Sequence, residues 1–271
     1  MSKLRIGIVG CGAIGSSLAK TIVKDFAKEA VLAGLYDIDN RKTRALNKAI
    51  SKRNNIVCLR LQQLISKSDL VIEAAAASAS YKIARQALLK GRDIMVMSVG
   101  GLLGRLERLR SLAKANQANI YIPSGALSGI DALKAAGLFR MKSVTLITSK
   151  HPKAFKGVKY LEKVDLSKIK KDKVLFFGSA KEAVKKFPQN INVAAILSLA
   201  GLGEDKTQVK IIASPEVKRN IHEVRIEARA ATIVTRTENI LHPDNPKTSF
   251  LAFLSAVATL KQILNPVKIG T

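Results

Sequence analysis

The sequence predicts an α/β protein in which a doubly wound parallel sheet is followed by a second, α+β domain with a mostly antiparallel sheet. Two observations support this fold class. Before residue 123, short apolar segments alternate with segments of helical periodicity, as in sheets whose parallel strands are joined by helices. After residue 123, the segments are rich in β-formers, and the stretch 222–234 alternates between polar and apolar residues.

In the first half, short apolar segments are predicted to be strands, and the amphipathic segments between them are predicted to be helices. The strands are 4–9, 31–36, 56–59, 70–74, 93–97 and 120–122, and the helices are 13–28, 40–52, a short turn at 61–66, 80–90 and 102–115. In the second half, strands are predicted at 143–148, 174–177, 208–213 and 222–234, and helices at 130–136, 193–202 and 250–264. The change of pattern near Pro123 predicts a first domain of residues 1–125 and a second that begins at residue 126.

The chain is strongly basic, with 46 lysines and arginines against 20 aspartates and glutamates and a formal net charge of +26. Such a field attracts polyanions without specificity, and it also concentrates small anionic ligands. Aromatic residues make up only 4 % of the chain, so bases would find few side chains to stack on. We therefore expect a basic surface rather than a specific nucleic-acid partner.

Several classes of protein are disfavoured by the composition. Cys11, Cys58 and three scattered histidines lack the usual spacing of metal ligands, so no metal site and two buried thiols are expected. No apolar run reaches the roughly 20 residues that cross a bilayer. The first strand leads into glycines rather than a signal-peptide cleavage site. A cytoplasmic protein without membrane contact is expected.

The loop after the first strand has the spacing of a dinucleotide-binding fingerprint. Gly10, Gly12 and Gly15 fit G-x-G-x-x-G, in which the glycines allow a tight turn, close approach of the pyrophosphate, and packing of the helix on the strand. The loop enters a helix at Ala13 and Ile14, where backbone N–H groups favour phosphate. The sequence therefore predicts a Rossmann domain that binds NAD or NADP.

Two further residues are predicted to lie at the cofactor. Asp37 ends the second strand, where a carboxylate accepts hydrogen bonds from the adenosine ribose and favours NAD. Arg41 and Lys42 follow it and could pair with a 2′-phosphate, so NADP stays an alternative. Ser98, just after the fifth predicted strand, is the other residue.

More distinctive patterns occur in the second half. They are 124–133 (SGALSGIDAL), 187–195 (FPQNINVAA) followed by 199–201 (LAG), and 219–224 (RNIHEV) followed by 238–239 (EN) and 245–249 (NPKTS). With the glycine loop and 95–100 (MVMSVG), they make the chain resemble the L-aspartate dehydrogenase family over nearly its whole length. The resemblance implies oxidation of L-aspartate with NAD or NADP to iminoaspartate. Iminoaspartate hydrolyses to oxaloacetate and ammonia, and it can feed NAD biosynthesis through quinolinate.

The resemblance also implies roles for particular residues. His222 falls on the catalytic histidine, and Ala126 and Asn192 fall on cofactor positions at the nicotinamide side. It further implies that residues 126–241 form a catalytic and dimerisation domain of a homodimer, and that 242–271 pack back on the first domain. The chain departs from the family at 74–80, which is rich in alanine, and at 228–231, where relatives tend to have glycines.

The residues themselves also favour His222. Handling of protons near neutral pH suits a histidine. His222 begins an alternating strand beside polar residues, whereas His151 and His242 each precede a proline. The competing interpretation is a half-buried strand histidine that is satisfied by the backbone.

An aspartate pocket needs cationic or N–H donors for two carboxylates. The candidates are Asn220, Lys247, Thr248 and Ser249. Thr248 or Ser249 could instead cap the last helix, and Asn192 could cap the helix that starts beside it, a role for which Asn190 competes.

Two other functions stay open at this point. One is a two-domain dehydrogenase of another amino or hydroxy acid. The other is a non-catalytic NAD-sensing regulator that binds nucleic acid through its positive charge.

Overall fold

The computed structural model describes residues 2–50, 55–187, 191–243 and 245–270, with the backbone alone at 191 and 245–247. The chain forms two compact units. The first comprises Met1–Pro123 with Phe253–Lys268, and the second comprises Ser124–Ala252 with Ile269–Thr271. The C-terminal part of the first unit, Phe253–Lys268, lies within the segment 242–271 that the resemblance assigns to the first domain.

The first unit contains a parallel five-stranded sheet with the order β2-β1-β3-β4-β5. Its strands are β1 Leu4–Val9, β2 Ala30–Tyr36, β3 Leu70–Glu73, β4 Asp93–Val96 and β5 Ile120–Tyr121. From β1 the strand order runs outwards in both directions, so β1 and β3 flank a topological switch point. Ligands of such sheets bind at the carboxyl ends of the strands beside this point. The predicted doubly wound parallel sheet is confirmed.

Helices connect these strands, as the alternating pattern predicts. They are α1 Ala13–Asp25, α2 Asn40–Ile50, α3 Leu61–Lys67, α4 Ala77–Leu88 and α5 Leu106–Ala115. The helix α9, Phe250–Leu264, spans the predicted residues. Within this unit, Ile6 and Ile8 of β1 are fully buried, as is usual for a strand of a parallel sheet covered on both faces.

One predicted strand of the first unit, 56–59, is wrong. Within the described residues, only Val57 pairs with the sheet, as an isolated bridge to Leu35. Helix α3 begins at Leu61 and draws the chain away from β2 before a second pair can form. The sheet therefore has five strands rather than six. Helix α4 also starts earlier than predicted, at Ala77 rather than Ser80, because alanine has the highest helix propensity.

The second unit contains a mixed five-stranded sheet with the order β10-β9-β6-β8-β7. Its strands are β6 Met141–Lys150, β7 Lys173–Ser179, β8 Gln208–Ala213, β9 Asn220–Ala228 and β10 Thr232–Asn239. Only β6 and β8 pair in parallel, and the other three pairings are antiparallel. The predicted mostly antiparallel sheet is confirmed.

The prediction of a single strand over 222–234 is wrong in detail. This stretch contains most of β9, a turn and the start of β10. The turn closes where the N–H of Ala228 donates to the carbonyl of Ala231, at 3.0 Å. The sequence pattern also gives no sign of the two-stranded ladder of β11 Leu241–His242 and β12 Asn245–Ser249. The helices of this unit are α6 Ile130–Gly137, α7 Ala180–Lys186 and α8 Ile191–Ala200.

The core of the second unit lies on one face of its sheet. Alternate residues of β6, β8 and β9 are buried there: Val144, Leu146, Val209, Ile211, Val224 and Ile226. We call this the inner face. On the opposite, outer face, Phe177 and Val234 are 64 % and 59 % exposed.

Candidate active site

The glycine loop of the first unit combines two tightly packed glycines with an open one. Gly10 has a φ of +97°, and a Cβ there would lie 2.5 Å from the carbonyl oxygen of Ala74. A Cβ on Gly15 would lie 1.9 Å from the carbonyl oxygen of Gly10. A Cβ on Gly12 would meet no described atom within 4 Å. Gly10 and Gly15 are therefore needed for packing, whereas Gly12 keeps a space open.

That space lies at the start of α1. Gly12 is the N-cap of this helix and offers no side chain to the first turn. Ala13 and Ile14 lie in the first turn, where backbone N–H groups have no intrahelical acceptor. Free N–H groups at the positive end of the helix dipole suit a diphosphate. The residues present therefore fit a dinucleotide, as the loop spacing predicts.

Asp37 at the end of β2 is held by backbone N–H groups. One carboxylate oxygen accepts from Cys11 in the glycine loop at 2.7 Å, and the other accepts from Asp39 at 2.9 Å. The guanidinium of Arg41 pairs with Asp39, with Nε 3.0 Å from Oδ1. Asp37 is thus oriented beside the loop, and Arg41 is paired with a different acid.

A polar group that sequence reasoning missed lies at the carboxyl ends of β3 and β4. The side chain of Glu73, fully buried, accepts the N–H groups of Ala75 at 2.8 Å and Ser98 at 3.0 Å. Burial raises the pKa of Glu73 to about 7, against the lowering effect of these donors. The Ser98 hydroxyl donates to the carbonyl of Ala75 at 2.5 Å. Ser98 therefore lies beside the carboxyl end of β3. The signal for Glu73 in the sequence was an acid that ends an apolar strand.

In the second unit, His222 of β9 lies on the inner face and is only 5 % exposed. Its Nδ1 lies 3.0 Å from the hydroxyl of Thr148, which is opposite it in register on β6. Burial, and then the charge of Lys150, lower the pKa of His222 to about 3. The ring is therefore neutral near pH 7, which differs from the expectation of a histidine that titrates near neutrality.

Along the strands, the side chains of the inner face change from apolar to polar. Val144 and Leu146 of β6 are followed on the same face by Thr148 and Lys150, because residues two apart share a face. By the same alternation, Asn220 and His222 precede Val224 on β9, and Asn239 ends β10. We call Thr148, Lys150, Asn220, His222 and Asn239 the polar end of the sheet. Sequence reasoning missed Thr148 and Lys150, which continue the apolar alternation of β6, and it gave no role to Asn239, which it noted only as part of a motif.

Other predicted residues surround Asn239. Its side-chain amide donates to the carbonyl of Ala126 at 3.3 Å and accepts from the hydroxyl of Ser249 at 2.5 Å. Ser249 and Ala126 are thereby brought together through a residue that is 2 % exposed. Thr248 is partly buried beside Ser249.

Two predicted positions are only partly described. Lys247 lies in β12, but its side chain lies outside the described residues, as does the competing cap Asn190. Asn192 is exposed in the first turn of α8.

Cys11 and Cys58 are buried free thiols, and burial raises the pKa of both.

The buried neutral histidine predicts a pH dependence of stability. Because the folded pKa of His222 is lowered from 6.5 to about 3, its contribution is present above pH 6.5 and is lost as the pH falls towards 3. Between pH 7 and pH 4.5 this group costs about 3 kcal/mol of unfolding free energy. The free energy of unfolding is measured with urea at pH 7 and at pH 4.5. We expect its decrease between the two pH values to be about 3 kcal/mol smaller for His222→Gln than for the parent chain. His151→Gln, at a partly exposed turn, is the control, and an equal pH dependence for all three proteins would contradict the prediction.

The glycine loop and the doubly wound parallel sheet that carries it define a dinucleotide-binding protein of the Rossmann class. Residues 131–263 match the family model "Aspartate dehydrogenase, C-terminal", and residues 10–123 match "Homoserine dehydrogenase, NAD binding domain". The chain belongs to the aspartate dehydrogenase family.

Individual relatives match over the full length. The chain is 44 % identical over 272 residues to the L-aspartate dehydrogenase of Methanosarcina barkeri, covering 99 % of this chain and 100 % of the relative. It is 46 % identical over 274 residues to that of Methanosarcina acetivorans, with the same coverage. The crystal structure of aspartate dehydrogenase from Thermotoga maritima superposes with a TM-score of 0.74 at 29 % identity, over 99 % of this chain and 100 % of that one.

The described residues contain neither a membrane-spanning helix nor a cluster of metal ligands. None of the helices is long and apolar enough to pass through a membrane. No group of three or more His, Cys, Asp or Glu side chains in the described ranges could hold a metal ion.

Proposed function

We propose that this chain oxidises L-aspartate with NAD to iminoaspartate, which water converts to oxaloacetate and ammonia. The observation that carries the proposal is the buried His222, whose Nδ1 lies 3.0 Å from the hydroxyl of Thr148 at the polar end of the sheet. Relatives that align over the whole chain are named L-aspartate dehydrogenases. Another amino or hydroxy acid as substrate has no comparable support.

In this proposal the bound nicotinamide supplies the hydride acceptor. His222 takes up a proton through its unprotonated ring nitrogen, from the substrate amine or from the water that attacks the imine. Ala126 and Asn192 are proposed to contact the nicotinamide side, and Ser98 is proposed as a further cofactor-binding residue. Asn220, Lys247, Thr248 and Ser249 are proposed for the substrate side, with Ser249 acting through Asn239.

The test is formation of NADH with L-aspartate and its consumption with oxaloacetate plus ammonia. We expect oxidative turnover to rise from neutral to alkaline pH, because hydride transfer requires the neutral amine of the substrate. L-malate and L-glutamate are the control substrates. Absence of turnover in both directions by a protein that binds NAD would overturn the proposal, and preference for a control substrate would redirect it.

We further propose that NAD is preferred to NADP. Asp37 would repel a 2′-phosphate, and Arg41 is already paired with Asp39. Asp37→Ser is expected to lower the ratio of kcat/KM for NAD over NADP by about 100-fold, because lost ribose hydrogen bonds and relieved repulsion each contribute about tenfold. Asp25→Asn, an exposed acid at the end of α1, should leave the ratio unchanged. An unchanged ratio in Asp37→Ser would refute this preference.

The proposed partners are small molecules and a second copy of the chain, without a specific nucleic acid or a membrane. The homodimer is proposed from the family resemblance. Light scattering should then report twice the chain mass of 29.3 kDa. A supply of iminoaspartate to NAD biosynthesis is also proposed, and labelled aspartate traced into NAD in cells would test it.

A further inference from the structure

Lys150 lies beside the proposed catalytic histidine but has no role in the function described so far. It is the last residue of β6, two positions after Thr148, and so its side chain leaves the sheet on the inner face. The Thr148 hydroxyl holds His222 at 3.0 Å. Lys150 is partly buried, and its charge contributes to the lowered pKa of the His222 ring. The charge of Lys150 is therefore close enough to His222 to act on its ring.

The surroundings of Lys150 suit an anionic ligand. Burial lowers the pKa of Lys150 to about 8, which still leaves most of it protonated at pH 7. A carboxylate that binds here gains a charge-assisted hydrogen bond in a place with reduced access to water.

The other polar groups at this end of the sheet carry no charge. Thr148, Asn220, His222 and Asn239 at the polar end of the sheet are all neutral near pH 7, and Lys150 is the only charged member. Lys210 of β8, by contrast, points to the outer face, because Val209 and Ile211 on either side of it belong to the core. Lys150 is thus the cation of this group that an acid substrate would meet next to His222.

We propose that the ammonium of Lys150 binds a carboxylate of the substrate beside His222 and makes this site selective for dicarboxylic acids. The inference rests on the proposed function, which supplies a dicarboxylate substrate. No bond forms or breaks at Lys150. It is a specificity-determining residue that contacts substrate, whereas His222 handles the proton.

The experiment uses succinate, an unreactive dicarboxylate, and butyrate, a monocarboxylate of equal chain length. Calorimetry with NAD-saturated protein measures the affinity of both for the parent chain, Lys150→Met and the control Lys210→Met. We expect Lys150→Met to weaken succinate about 30-fold, the loss of one charged hydrogen bond, and to change butyrate much less. The KM for oxaloacetate should rise by a similar factor with a smaller change in kcat. Lys210→Met should stay within twofold of the parent chain.

A merely structural role for Lys150 would weaken succinate and butyrate alike, and this result would overturn the inference. So would a Lys150→Met affinity for succinate within threefold of the parent, or no succinate binding by the parent. If Lys150→Met fails to fold, Lys150→Gln provides the same comparison. Failure of the proposed function is separate: the parent chain would then bind succinate through Lys150 but would not oxidise L-aspartate.

Discussion

Replacement of His222 by alanine is expected to lower kcat for L-aspartate about 1000-fold while NAD affinity stays within threefold. General acid–base catalysis by a positioned side chain contributes about 100- to 10,000-fold. The proposed pyrophosphate and ribose groups, Gly12 and Asp37, belong to the first unit, whereas His222 belongs to the second. The proposed nicotinamide contacts, Ala126 and Asn192, also belong to the second unit, but truncation of His222 leaves their side chains in place. The measurement is steady-state turnover together with titration of NADH fluorescence.

Two further variants make this result specific. His222→Asn keeps a polar group for Thr148 but cannot take up a proton, so we expect a similar loss of kcat. His151→Asn, at a position that caps the turn at Pro152–Phe155, should turn over normally. A His222→Ala protein with native circular dichroism and more than a tenth of the parent kcat would exclude His222 as the proton-handling residue.

The glycine loop predicts that Gly12→Ala and Gly15→Ala fail in opposite ways. A Cβ at Gly12 meets no described atom within 4 Å, and the φ of −73° is ordinary for alanine, so the variant should fold with a Tm near that of the parent chain. The added methyl group would occupy space needed for the pyrophosphate. We therefore expect NAD affinity to fall about 100-fold, which corresponds to about 3 kcal/mol.

Gly15→Ala is the counterpart. Its Cβ would lie 1.9 Å from the carbonyl oxygen of Gly10, so α1 must move away from β1. Overpacking of this kind costs about 1–3 kcal/mol or more, and we expect a clear fall in Tm before any effect on the cofactor is considered. Thermal unfolding and NADH titration of both variants test the pair. Equal Tm losses in the two proteins would refute the distinction between a packing glycine and a ligand glycine.

Most of the first unit follows from local patterns. The five strands of its sheet were predicted within a few residues, because short apolar runs between turns signal buried parallel strands. The segment 56–59 has the same composition but forms only an isolated bridge. Whether an apolar run becomes a strand depends on where the next element leads the chain, and here α3 begins too soon. Composition does not carry that information.

The candidate site residues also fall into two groups: those that the sequence predicts and those that only the tertiary structure reveals. The sequence by itself determined the glycine loop, Asp37 at the end of β2, and His222 on an alternating strand, because each depends on spacing within one element and its neighbour. Only the tertiary structure decided that Thr148, 74 residues before His222, holds its ring, and that Lys150 lies on the same face. It also decided that burial keeps His222 neutral. Register between strands distant in the chain sets these contacts and the loss of water around them, and no local pattern encodes that register.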